Sequence, residues 1–305
     1  MVLAVVTMKV FEQLTANGLF RGAAYGLLGV GFALILGVTG RFHFAYSLTY
    51  TFAAYMAFTF HDRVSIPFWP AAVLGVLVAT ALGVGIERGV YRPLVARAGA
   101  TALLAVFVAS LGIGIAGENL IRLGWSSQSM NYLGPKRTAI KLGAVRFLNF
   151  DLYQTLTAIV LVAVLASLLR FTSLGRQIKA TRVNPDLATI IGINANTVYL
   201  ICFGIGTFFA GVAAFWYGLQ FTVAPDIGSR PVIYAFVVAF LAGTASGPVR
   251  VFLTGIGVAL LEQWASMFIS SRWTQTAVFV VLTGYLVWLS LKSSSWVSRL
   301  KLARA

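Results

Sequence analysis

Apolar residues in this chain come in long blocks, and polar residues are confined to short joints between them. The blocks cover about residues 18–38, 44–60, 68–86, 101–123, 152–171, 197–219, 232–242, 251–269 and 277–291. The longer ones match the ~20 helical residues that cross a ~30 Å hydrocarbon layer. The second and seventh are shortened by polar or Gly-rich joints. The pattern therefore predicts an all-α, polytopic helical membrane protein with eight or nine membrane segments, some of them short or discontinuous. A broken segment is tolerated in lipid only where its backbone is buried in protein or lines a cavity. Gly243, Gly247 and Pro248 in AGTASGP mark either such a break or a plain short turn between antiparallel helices.

Composition agrees with this pattern. Of 305 residues, 59% are hydrophobic and 10% charged, whereas soluble domains carry about 25% charge. So few ions could not cover the surface of a soluble protein of this length. Lys and Arg number 23 against 8 Asp and Glu, a formal charge of +15. Because the basic residues flank apolar spans, loops beside anionic lipid account for them more simply than nucleic acid does. One cluster is Arg88, Arg92 and Arg97, a second is Arg170, Arg176, Lys179 and Arg182, and a tail carries Lys292, Arg299, Lys301 and Arg304. Placed inside with Arg41 and Arg250, they make 13 of the 23 basic residues cytoplasmic. With nine segments, the N-terminus is then outside and the C-terminus inside. The start, MVLAVVTMKV, lacks the basic region and cleavage site of a signal peptide. One membrane domain over residues 1–305 is expected, with residues 124–151 as its largest extracytoplasmic loop.

Several chemistries are missing from the sequence. None of the six lysines follows a glycine, so the chain has no phosphate-cradling P-loop. His43, His61 and Cys202 supply no repeated metal-ligand spacing. No catalytic constellation is visible, so no enzyme is expected. Acidic residues lie mostly near span ends, which disfavours an ion-coupled carrier, since such carriers keep ionisable groups near the bilayer midplane. Glu118 and Glu262 are the deepest. Glu118 has Arg122 four residues on, a spacing that allows either a structural helical ion pair or a role in a pathway.

The most informative stretch is the basic, sharply punctuated segment 175–194, GRQIKATRVNPDLATIIGIN. Asn184 is placed to cap a helix that starts at Pro185, where a proline loses no needed N–H. Asp186 adds negative charge at the positive helix end. Leu187, Ile190 and Ile191 fall at i, i+3 and i+4, a single apolar face. Gly192 suits the left-handed position that ends a helix, and Asn194 or Asn196 then caps the next span. The helix of about seven residues, roughly 10 Å long, is too short to be stable alone. Its apolar face needs a cover: the membrane domain itself, the lipid interface, or a groove on a separate cytoplasmic subunit, where Arg176, Lys179 and Arg182 would suit an acidic rim.

The segment resembles the cytoplasmic coupling loop of ABC-importer permeases, and in particular the LivH-type branched-chain amino-acid permease family. The matching residues are Gly175, Lys179, Ala180, Asn184 to Asp186, Ala188, Gly192, Ile193 and Asn194. Other segments agree in order: Asn17, Gly18, Tyr25, Gly31 and Gly37; Glu87, Arg88, Tyr91, Arg92, Pro93 and Leu94 as a cytoplasmic loop; Ala210 to Ala213; and Gly243, Ser246 and Pro248. The chain departs from the family at His43 to Ser47, where Asn-Phe-Ala-His-Gly is typical, and at Val249 and Arg250.

The resemblance implies a permease that pairs with a second permease and binds two cytoplasmic P-loop ATPases. It receives solute from an extracytoplasmic binding protein, in a bacterial-type inner membrane. ATP and Mg would sit on the ATPases, with no cofactor on this chain. The solute implied is a branched-chain or other hydrophobic amino acid; urea, a short amide or a sugar is the near alternative, and an ion-coupled carrier a more distant one. His43, Tyr46, Glu118 and Glu262 are the candidate pathway residues.

Overall fold

The computed structural model describes residues 2–130 and 134–268, with isolated residues between 273 and 288. The apolar run from residue 277 and the basic tail lie largely outside the described residues. Among the described residues eleven α-helices follow in order: α1 Val2–Thr39, α2 Tyr46–Phe58, α3 Phe68–Ile86, α4 Arg92–Ala98, α5 Ala102–Trp125, α6 Asn149–Phe171, α7 Ser173–Val183, α8 Pro185–Ile190, α9 Ala195–Gln220, α10 Ser229–Ala242 and α11 Pro248–Ala265. Of these described residues, five stretches are long and apolar enough to cross a membrane: Met8–Thr39, Phe68–Ala98, Ala102–Trp125, Asn149–Phe171 and Ala195–Gln220. Between α5 and α6 lies a two-stranded antiparallel hairpin, β1 Ala139–Leu142 and β2 Val145–Leu148. The bundle thus has an α8 end and a hairpin end.

The two short apolar runs are half-length helices that meet midway along the bundle. Gly114, halfway along α5, faces Ser47 at the start of α2; a Cβ there would lie 3.2 Å from the Ser47 hydroxyl. From that level α2 runs toward the hairpin end, where the Trp125 indole donates to the Thr59 hydroxyl at 2.7 Å. The first turn of α10 begins at the same level. The Gly228 N–H donates to Thr51 Oγ1 at 3.1 Å, and a Cβ on Gly228 would overlap the Ser47 carbonyl. Helix α10 runs the opposite way, toward α8. In the non-helical backbone leading into the half-helices, Arg41, His43 and Ala45 before α2 and Val223, Pro225 and Gly228 before α10 are buried in protein, as lipid favours. AGTASGP is a turn: Gly243 ends α10, Ser246 N–H bonds to the Gly243 carbonyl, and Pro248 opens α11.

Long α1 is the hub. Lipid tails are as apolar as leucine, so close packing rather than escape from water must hold the spans together. Gly18, Gly22 and Gly26 lie against Leu260, Ile256 and Phe252 of α11, and a Cβ on Gly22 would stand 2.6 Å from the Ile256 Cα. Gly255 of α11 returns the contact against Gly26. This stripe brings two backbones together at a distance that any side chain would prevent.

Candidate functional site

Helix α6 turns sharply into α7. Thr172 caps α7 by accepting from Gly175 N–H at 3.1 Å. A Cβ on Gly175 would sit 2.5 Å from the carbonyl oxygens of Leu168 and Leu169, so glycine alone fits this corner. Helix α7 buries Gly175, Ile178 and Thr181 and exposes Arg176 and Lys179. A separate α7 was not foreseen from the sequence, although the Thr172 cap and the three-residue spacing of its buried positions carry it. Ala180 lies half-buried on the same helix.

Helix α8 is held from both ends. The Asn184 side chain accepts from the N–H groups of Asp186 and Leu187, both at 3.0 Å. At the other end Ile193 N–H reaches the Ala188 carbonyl at 2.9 Å and Gly192 N–H the Thr189 carbonyl at 3.0 Å. With Gly192 at φ +87° these bonds complete a Schellman motif. Asn194, rather than Asn196, caps α9 by accepting from Thr197 N–H at 3.2 Å. Ala188 is buried, and Ile193 is half-buried against the core. Leu187, Ile190 and Ile191 are 59%, 79% and 71% exposed, and neighbouring Val183 is exposed too. The short helix is thus locked by caps at both ends and turns aliphatic side chains outward.

Arg182 does not join an outward basic rim. Its Nη2 donates to the Thr244 carbonyl at 2.9 Å, just past the end of α10. Burial lowers its pKa from the usual arginine value.

Beneath the segment lies a polar junction that sequence reading did not assemble. Arg41, in the connector after α1, is ion-paired with Glu87. The same guanidinium lies 5.1 Å from the ring centre of Tyr199 on α9, the helix that follows α8. His43 Nδ1 and the Tyr91 hydroxyl are hydrogen-bonded at 2.9 Å, and the imidazole packs edge-on against Phe203 at 5.0 Å. The stretch from Glu87 to Leu94, expected as a loop, is helical: a π-turn at Glu87–Tyr91 joins α3 to α4, which carries Pro93 near its start. Glu87 and Tyr91, four residues apart on one helix face, are both buried.

With this geometry in view, the comparisons decide the family. The profile described as "Branched-chain amino acid transport system / permease component" matches residues 14–291. The chain belongs to this permease family. BraD of Pseudomonas aeruginosa, a high-affinity branched-chain amino acid transport system permease protein, is 28% identical over 89% of this chain and 92% of its own. LivH of Escherichia coli K12, described in the same words, is 25% identical over 89% and 91%. A solved structure titled PsaBC from Streptococcus pneumoniae in complex with Fab covers 87% of the chain at 13% identity and a TM-score of 0.49.

The permease places its other candidate residues apart from one another. His43 and Tyr46 are enclosed: the Tyr46 hydroxyl donates to the Gly206 carbonyl at 3.0 Å and lies 3.3 Å from that of Leu28, tying α2 to α9 and α1. Glu118 pairs with Arg122 at 2.5 Å on α5. It also lines a small, shallow cleft with Ser47, Thr51, Pro225 and Ser229, where the half-helices meet. Glu262 of α11 is half-buried beside the stacked rings of Tyr25 and Tyr234. The candidate pathway residues therefore occupy three separate places, and Glu118 borders the small cleft.

Proposed function

We propose that this chain is the translocating subunit of an inner-membrane ABC importer for branched-chain or other hydrophobic amino acids. One observation carries the reading: in a transport permease, the capped helix α8 turns Leu187, Ile190 and Ile191 outward. Aliphatic side chains fixed on a rigid turn suit the groove of an ATPase subunit, with Arg176 and Lys179 beside them facing an acidic rim. The α8 end then lies in the cytoplasm, and α1 starts outside. A second permease and two P-loop ATPases complete the membrane complex, ATP and Mg are bound by the ATPases, and a binding protein delivers solute from outside. Closure of the ATPase pair on ATP displaces α8. Because nucleotide binds one conformation more tightly, it shifts the permease pair between outward and inward access. The relatives BraD and LivH support the solute class.

Leucine uptake tests the reading in proteoliposomes that hold the permease with its co-purified subunits and binding protein. Uptake should require ATP inside the ATPase-accessible compartment and be competed by isoleucine and valine, not by urea. Uptake driven by an ion gradient without ATP would contradict it.

A further inference from the structure

We propose that Arg182 is a positioning residue that fastens the α7–α8 segment to α10, so that movement at α8 is carried along α10 to the halfway point of the bundle. This deepens the coupling reading of α8 and rests on it. The first link is the bond from Arg182 Nη2 to the Thr244 carbonyl, which joins positions 62 residues apart. Arg182 precedes the cap Asn184 by two residues, on a helix whose inner face, Ile178 and Thr181, is buried. A shift of α8 therefore reaches the guanidinium with little slack. Thr244 directly follows Gly243, which ends α10. A guanidinium at that end also complements the last carbonyls and the negative helix pole.

The rod between the two ends is α10, 14 residues long and thus about 20 Å. At its far end Gly228 N–H holds Thr51 Oγ1, and its Cα packs against the Ser47 carbonyl with no room for a side chain. That contact sits at the cleft lined by Ser47, Thr51, Glu118 and Ser229. Ser229 and Arg230 are exposed at this depth, where lipid penalises polar groups and a water-lined route or partner surface does not. The link therefore ends where access to a central route could be changed.

The test uses the whole transporter, reconstituted, with a spin label on Ser229→Cys; native Cys202 is fully buried and slow to label. Label mobility is compared without nucleotide and with ATP plus vanadate, alongside leucine moved per ATP hydrolysed. The wild-type complex is expected to show a nucleotide-dependent change at Ser229. Arg182→Ala is expected to lose it, with ATPase subunits recovered as in wild type and leucine per ATP lowered tenfold or more. Arg182→Lys, which keeps the charge without the planar fork, should restore part of both. An undiminished response in Arg182→Ala, or no response in wild type, overturns the proposal. Should Arg182→Ala fail to assemble, Arg182→Met, which keeps the aliphatic stem but donates no hydrogen bond, decides: a response equal to wild type overturns the link and a reduced one supports it. A wild type that recovers no ATPase overturns the coupling reading and this inference together.

Discussion

The Arg41 guanidinium and the Glu87 carboxylate are ion-paired inside the helix bundle, with side chains only 9% and 2% exposed. Removing one partner of such a pair strands the other charge and costs about 3–5 kcal/mol, while replacing both with apolar groups costs far less. Glu87→Gln should therefore lower the unfolding temperature in detergent more than the double variant Arg41→Met with Glu87→Leu. Scanning fluorimetry that ranks the double variant below the single one would contradict a stranded charge.

Asn184 supplies the side chain for two N–H groups of α8. Losing an N-cap costs about 1 kcal/mol, and a six-residue helix has no stability of its own to spare. Asn184→Ala should weaken recovery of the ATPase roughly fivefold, as 1 kcal/mol implies, while Asn184→Asp or Ser keeps it. Titrating purified ATPase against the immobilised permease measures this.

At Gly192 a Cβ would meet nothing within 4 Å, so its constraint is the backbone at φ +87° alone. Gly192→Ala should cost about 1–2 kcal/mol through left-handed strain, and Gly192→Asn less. The cost should show as faster proteolysis between α8 and α9 with an unchanged global melting temperature. A matching fall in global melting would place the effect elsewhere.

Gly22 against Ile256 sets how closely α1 and α11 approach. Gly22→Ala overpacks this contact and should cost about 1–3 kcal/mol. On α3, Gly85 faces open space, so Gly85→Ala should leave the melting temperature unchanged or raised. Equal losses at both glycines would contradict this.

The sequence made the α8 segment legible because capping and helix termination are local rules: Asn184, Pro185 and Gly192 act within a few residues of themselves. The short second and seventh runs were legible as interruptions for the same reason. Their meeting at Gly228 and Ser47 was not, since FTVAPDIG reads as an ordinary connector and nothing local says that it dips to the centre of the bundle. Arg182 was legible as a basic residue but not as an inward one, because its acceptor is a backbone carbonyl 62 positions away. The Arg41–Glu87 pair was hidden because Glu87 and Tyr91 belong to a stretch that reads as a charged loop but is helical, with both side chains on its buried face.

Recovery of ATPase subunits from native membranes tests the central claim most directly. The tagged permease, solubilised in mild detergent, is compared with Leu187→Asp and Ile190→Asp, whose positions are exposed and should fold normally. Wild type is expected to bring down P-loop ATPases, and both variants to lose them at unchanged melting temperature. ATPase recovered equally by all three would show that α8 is not the docking surface. None recovered by a well-folded wild type would contradict the ABC-importer account itself.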